Sequence, residues 1–189
     1  MHEPDGLAPR GPQRTHSNVP REAGLFSPPQ QSLVRRALDE AEEHTSNHYC
    51  IPPHGWDRFP YDLITRKDRE WAPIPEAALA KVQRIEQLST RRKEKIGFYR
   101  IQLNDPTILS AARRENLEDA LYPFLVYILT HEMVHLVRLG TLLGDPEPPL
   151  SEDVDLEEER VDRISRRILV DARCDLFHPV LERFQRPCL

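Results

Sequence analysis

Along this chain, stretches with apolar residues at helical spacing alternate with short stretches broken by proline. Gln31 to Thr45 carries Leu33, Val34, Ala37, Leu38 and Ala41, which predicts one amphipathic helix with Ser32 as its cap. Pro75, followed by Ala77, Ala78, Leu79, Val82, Ile85 and Leu88, predicts a second helix, because proline suits a first helical turn. Gly97 to Asn104 behaves differently. There Tyr99, Ile101 and Leu103 alternate with Arg100 and Gln102, the period of a strand. Asp105-Pro106 opens a short helix through Arg114, and Asn116 is placed as the cap of a longer one ending at Gly140. Pro123 lies inside that stretch, so the helix either kinks there or restarts with Pro123 in its first turn. A last long helix begins in the acidic segment Glu152–Glu159 and runs through Val161, Ile164, Ile168 and Ala172. From Phe177 onward, Val180, Leu181 and Phe184 add a further turn or two. Residues 47–63 hold three prolines and a glycine, yet Tyr49, Trp56, Phe59 and Tyr61 are too apolar for a free linker. They predict an ordered loop laid over the core.

Composition divides the chain in two. Of 18 prolines, six fall in the first 29 residues among Gly, Ser, Gln and Arg, a mixture with too little apolar surface to offset its ordering entropy. The expectation is a disordered tail over 1–30 and one domain over 31–189, an ordinary size for a domain. The fold expected is α+β, mainly helical with a small sheet. No apolar run reaches the roughly 18 residues needed to span a bilayer, and the N-terminus shows no secretory signal, so no membrane contact and a cytoplasmic location are expected. Cys50, Cys174 and Cys188 then read as reduced thiols. A net charge of −5 argues against general nucleic-acid binding, and the basic run Arg91–Lys95 reads as a solvated helix end.

Inside the long apolar helix stands His131-Glu132-Met133-Val134-His135, an HExxH motif. A spacing of four places both imidazoles on one helix face, about 5–6 Å apart at Cβ, within reach of one metal ion. The inward stripe of Leu121, Phe124, Leu125 and Ile128 continues to 131, 132 and 135, and buried polar groups there need partners. Zinc satisfies the two histidines, and Glu132 can deprotonate a zinc-bound water. A catalytic zinc has three protein ligands. The metzincin arrangement is excluded, because Arg138 and Thr141 occupy the positions of its glycine and third histidine. No histidine lies between His135 and His178, whereas Glu152, Asp153, Asp155, Glu157, Glu158 and Glu159 crowd the next helix, so a glutamate is expected as third ligand.

With that pattern the sequence resembles the gluzincin metallopeptidases, and most of all the small ImmA/IrrE-type peptidases. There HExxH is followed by a helix of the form E-x-x-[AC]-[ND]-x-F-A and a Leu pair. The corresponding stretch is Glu158-Glu159-Arg160-Val161-Asp162-Arg163-Ile164-Ser165, then Ile168-Leu169, with departures at Val161, Ile164 and Ser165. The resemblance covers about 40 residues. It implies a zincin-like fold, a zinc ion, Glu158 as third ligand and Asp162 near the histidines. Helical phase alone places Glu157 nearer the middle of the inward stripe, Glu158 at its border and Glu159 outside, so Glu157 stays open as the alternative.

The expected function is zinc-dependent hydrolysis of peptide bonds in a peptide or protein substrate, with Glu132 taking the proton from water and passing it to the leaving amine. The alternative is a non-catalytic interaction protein with a structural or vestigial zinc, for which Glu132 would be unnecessary. The tail offers a site for a protein partner. In zincins the substrate lies along an edge strand, and Phe98–Leu103 is the strand available for that role. His178, Tyr127, Tyr99 and Arg138 are the candidate donors to the transition state. Two other groupings carry less: His44, His48, Cys50 and His54 match no zinc spacing, and Cys174 with His178 reads as core packing.

Overall fold

The computed structural model describes residues 24–88, 95–142, 154–172 and 174–184. Residues 1–23, the start of the expected tail, and most of the basic run lie outside them, as do residues 143–153 and Cys188.

Five helices and a three-stranded sheet give an α+β fold. The order is α1 (Pro28–Tyr49), β1 (Tyr61–Ile64), β2 (Ala80–Leu88), β3 (Lys95–Leu103), α2 (Asp105–Arg114), α3 (Leu121–Leu142), α4 (Val154–Asp171) and α5 (His178–Arg183). Helix α1 starts three residues before the predicted boundary. Ser27 and Gln30 form its capping box, in which the Gln30 side chain accepts from the Ser27 N–H at 2.8 Å. The expected end of the tail therefore belongs to the fold: Phe26 is fully buried, and its N–H donates to the Asp105 carboxylate at 3.2 Å. The other Asp105 oxygen accepts from the Arg66 N–H at 3.2 Å, so one buried side chain ties the start of α1 and the turn after β1 to the start of α2. Gly24, at φ +104°, lies against Pro106, where an added Cβ would come within 3.2 Å of the proline ring.

The sheet order is β1-β3-β2, with β1 parallel and β2 antiparallel to β3. This corrects two expectations. Residues 80–88 form a strand, not a helix. Leu79, Val82, Ile85 and Leu88 fit helical spacing, but nine residues pair with β3 from Ala80↔Leu103 to Leu88↔Lys95, and that long-range ladder overrides the local period. Strand β3, predicted as a strand, is the central one. Both of its sides are paired, so Phe98–Leu103 is no edge; among the described residues β2 is paired on one side only, and it contacts α3. Tyr99, Ile101 and Leu103 are buried on one face of β3, while Gln102 on the other face is capped by the Ala72 N–H at 3.1 Å.

Helix α3 occupies the centre. Phe124, Leu125, Val126, Leu129, Met133, Val134 and Leu136 are all fully buried, so the helix is enclosed on most sides rather than along one stripe. It restarts after α2 with Pro123 in its first turn, where the missing N–H costs nothing. Asn116, expected as its cap, instead takes a left-handed turn at φ 55° just past α2, a conformation asparagine tolerates. Helix α1 packs along α3 through Ala37 and Ala41, and the Tyr122 hydroxyl donates to Glu40 across that contact. The aromatic loop lies over the core as predicted, with Trp56, Phe59 and Tyr61 against it; Phe59 covers Gly140, where a Cβ would collide with the ring. Part of that loop is regular, since Tyr61–Ile64 forms β1. Among the described residues, no helix is long and apolar enough to cross a membrane.

Phe26→Ala is expected to destabilise the protein by about 3–5 kcal/mol, the usual cost of emptying a buried phenylalanine site, in equilibrium denaturation. A change below about 1 kcal/mol would contradict the anchoring of α1 described here.

Candidate metal centre

His131 and His135 lie one turn apart on α3, and their Nε2 atoms approach to 3.1 Å. Glu158 reaches them from α4, with Oε2 3.3 Å from His131 Nε2 and Oε1 3.3 Å from His135 Nε2. Ligands about 2.0–2.1 Å from one tetrahedral ion stand roughly 3.3–3.4 Å apart, so these donor atoms fit a common ion. Among the described residues, this is the His/Cys/Asp/Glu group whose ligand atoms converge, all within 4.8 Å of one another. The donor set of two imidazoles and a carboxylate can hold a metal ion.

The site opens into a cleft of about 1350 Å³, larger than the usual small-molecule pocket of roughly 300–1,000 Å³. Its walls come from residues 75–82, α2, α3 and α4, and from Arg183 and Phe184 at the end of α5. The histidines are the partly open part of α3, 19% and 15% exposed, and Glu158 is 43% exposed. They face the cleft rather than the core. Glu132 is buried beside them, and its carboxylate accepts a hydrogen bond from the backbone N–H of Val82 in β2.

Electrostatics follow from this packing. Burial pushes the Glu132 carboxyl up, against the pull of His131 and His135. For His135, burial is the largest single influence and acts downward. The hydrogen bond it donates to Glu158 and the nearby charges of Glu132, Glu158 and Glu157 together outweigh it, so its pKa is raised. Hydrogen bonds from His131 and then His135 hold Glu158 well below the usual carboxylate range.

Glu157, the alternative third ligand, is engaged elsewhere. Arg138 grips it with Nε on Oε1 at 2.5 Å and Nη2 on Oε2 at 2.7 Å, which lowers its pKa. Asp162 accepts from the Tyr127 hydroxyl at 2.6 Å, one turn along from the histidines. Of the four candidate donors, Tyr127 lines the cleft. Arg138 is held by Glu157, Tyr99 is buried in the core, and His178 is an exposed side chain 3.6 Å from Glu182. Cys174 is exposed as well, so its pairing with His178 as core packing is not found. The His44–His54 grouping is dispersed: His44 sits 3.4 Å from Glu40 and edge-on to Phe177, His48 stacks edge-on to Tyr49, and Cys50 is exposed. Sequence reasoning missed β2 as the strand beside the site, although Val82 and Ile85 are the β-branched residues that favour it.

No protein-family model, curated protein or solved structure matches this chain. The reading of the site rests on its geometry.

Two outcomes are expected with zinc as the probe. Glu158→Ala weakens binding by more than about 100-fold, beyond the loss typical of outer residues, in competition with a chromophoric chelator. Protons compete for the same imidazoles, and a raised His135 holds its proton to higher pH than the ordinary value of about 6.5. Apparent affinity therefore falls as the pH is lowered, and the fall begins above the range of free imidazole; a flat profile would contradict the arrangement.

Proposed function

We propose that this protein is a zinc-dependent metallopeptidase of zincin-like fold and gluzincin type. The observation that carries the reading is the position of Glu132: a buried carboxyl, aimed by the Val82 N–H of β2, beside three convergent ligand atoms. A purely structural metal site has no need of it.

His131, His135 and Glu158 would hold the ion. Zinc with three protein ligands supplies Lewis acidity and lowers the pKa of water toward about 7. Glu132 takes the proton of the attacking water on its carboxylate and delivers it to the nitrogen of the leaving amine. A carboxyl whose pKa is raised by burial suits both halves of that transfer. An extended substrate lies along β2, which among the described residues is paired on one side only, and binds by strand addition there. Ala80, Lys81 and Val82 line the cleft at that edge. Tyr127, tied to Asp162, is the donor candidate in the wall. A cleft of this volume accommodates several residues of peptide, which supports a peptide or protein substrate.

Glu132→Gln is expected to keep wild-type zinc content and to lose peptide cleavage by at least about 10²–10⁴-fold, the range for removing a general base. The check is metal analysis alongside turnover of a mixed peptide library read by mass spectrometry. Cleavage retained by the variant would overturn the mechanism. Zinc retained with no cleavage by the wild type would favour the interaction protein.

A further inference from the structure

The seam between α3 and α4 is lined by polar pairs in antiparallel order: Tyr127 with Asp162, His131 and His135 with Glu158, and Arg138 with Glu157. Glu158 thus stands between two cross-links. The outer one has unusual definition. Nε and Nη2 of Arg138 make a two-point contact with Glu157, which fixes orientation as well as distance, and the side chains are only 21% and 30% exposed.

Two adjacent carboxylates present the histidines with a choice. Consecutive helical residues leave the axis about 100° apart, so Glu157 projects from α4 on the flank beside Glu158, and the Arg138 that holds it lies three residues past His135 on α3. Apolar contact holds α4 along its length, through Val161 and Ile168 beside Val134 and through Leu169 in the main core. On this side of α3 the buried cluster contains Val134, Val161 and Ile168, with Tyr49 and Ile164 packed against it, and it is separate from the main core. Glu157 also meets Arg160 at 3.7 Å on its own helix, a single contact beside the two-point hold of Arg138.

We propose that Arg138 is the positioning residue of this metal site: by holding Glu157 it withdraws one carboxylate from competition and leaves Glu158 as the third ligand. This deepens the metal-site reading and rests on it.

The test uses zinc affinity, the visible spectrum of the cobalt(II)-loaded protein, and the melting temperature of the metal-free protein. Arg138→Gln is expected to weaken zinc binding by about 10–100-fold, the range for residues that orient ligands, and to alter the cobalt spectrum, with the metal-free melting temperature little changed. Adding Glu157→Gln removes the competitor and recovers most of the affinity and the spectrum. Arg138→Lys, a point charge without the fork, falls between wild type and Arg138→Gln. Wild-type affinity and spectrum in Arg138→Gln would overturn the proposal. So would a loss that Glu157→Gln does not relieve, or one that tracks an equal drop in metal-free stability. A wild type that takes up neither ion overturns the metal site itself, which separates that failure from this one.

Discussion

Helix α3 is enclosed by core on most of its circumference and still carries two histidines and a glutamate, and the surrounding architecture is arranged around that conflict. Polar side chains in such a helix need partners, because leaving them unpaired costs several kcal/mol. They are met from two directions. Helix α4 supplies Glu158 to both imidazoles, and β2 supplies a backbone N–H to Glu132. Neither neighbour is close in sequence, so the site exists only when the sheet and the helix pair are both assembled. The cleft is the gap left between these two neighbours.

How much of this is written locally can be judged residue by residue. The His131, Glu132 and His135 cluster is legible because it depends on the helical repeat alone. Glu158 is only half legible. Its helix is plain from Val161, Ile164 and Ile168, but the choice between two consecutive glutamates is made by an arginine nineteen residues from Glu157, which no periodicity records. Strand β3 was readable from its alternation, and its central place was not, because that depends on which strands pair with it. Strand β2 shows the opposite failure: its apolar residues fit a helix, and only the β3 ladder decides. Phe26 was hidden for a different reason, being one large apolar residue at the end of a proline-rich segment, while its receptor Asp105 lies 79 residues on.

The correction of the edge strand changes the chemistry more than the fold. With β3 paired on both sides, peptide backbone has no place on it. With β2 outermost among the described residues, the strand that would receive substrate is the strand whose Val82 N–H meets Glu132. Substrate alignment and proton transfer would then share one rigid element, so a shift in β2 would disturb both together.

Gly24 turns against Pro106, and Pro106 belongs to the wall of the cleft. Gly24 therefore stands at the rim of the opening rather than on the far side of the molecule. The described chain closes on the same opening, since Arg183 and Phe184 also line the cleft: the first and the last described residues both border one entrance, so a change of packing at either end of the fold would be felt there.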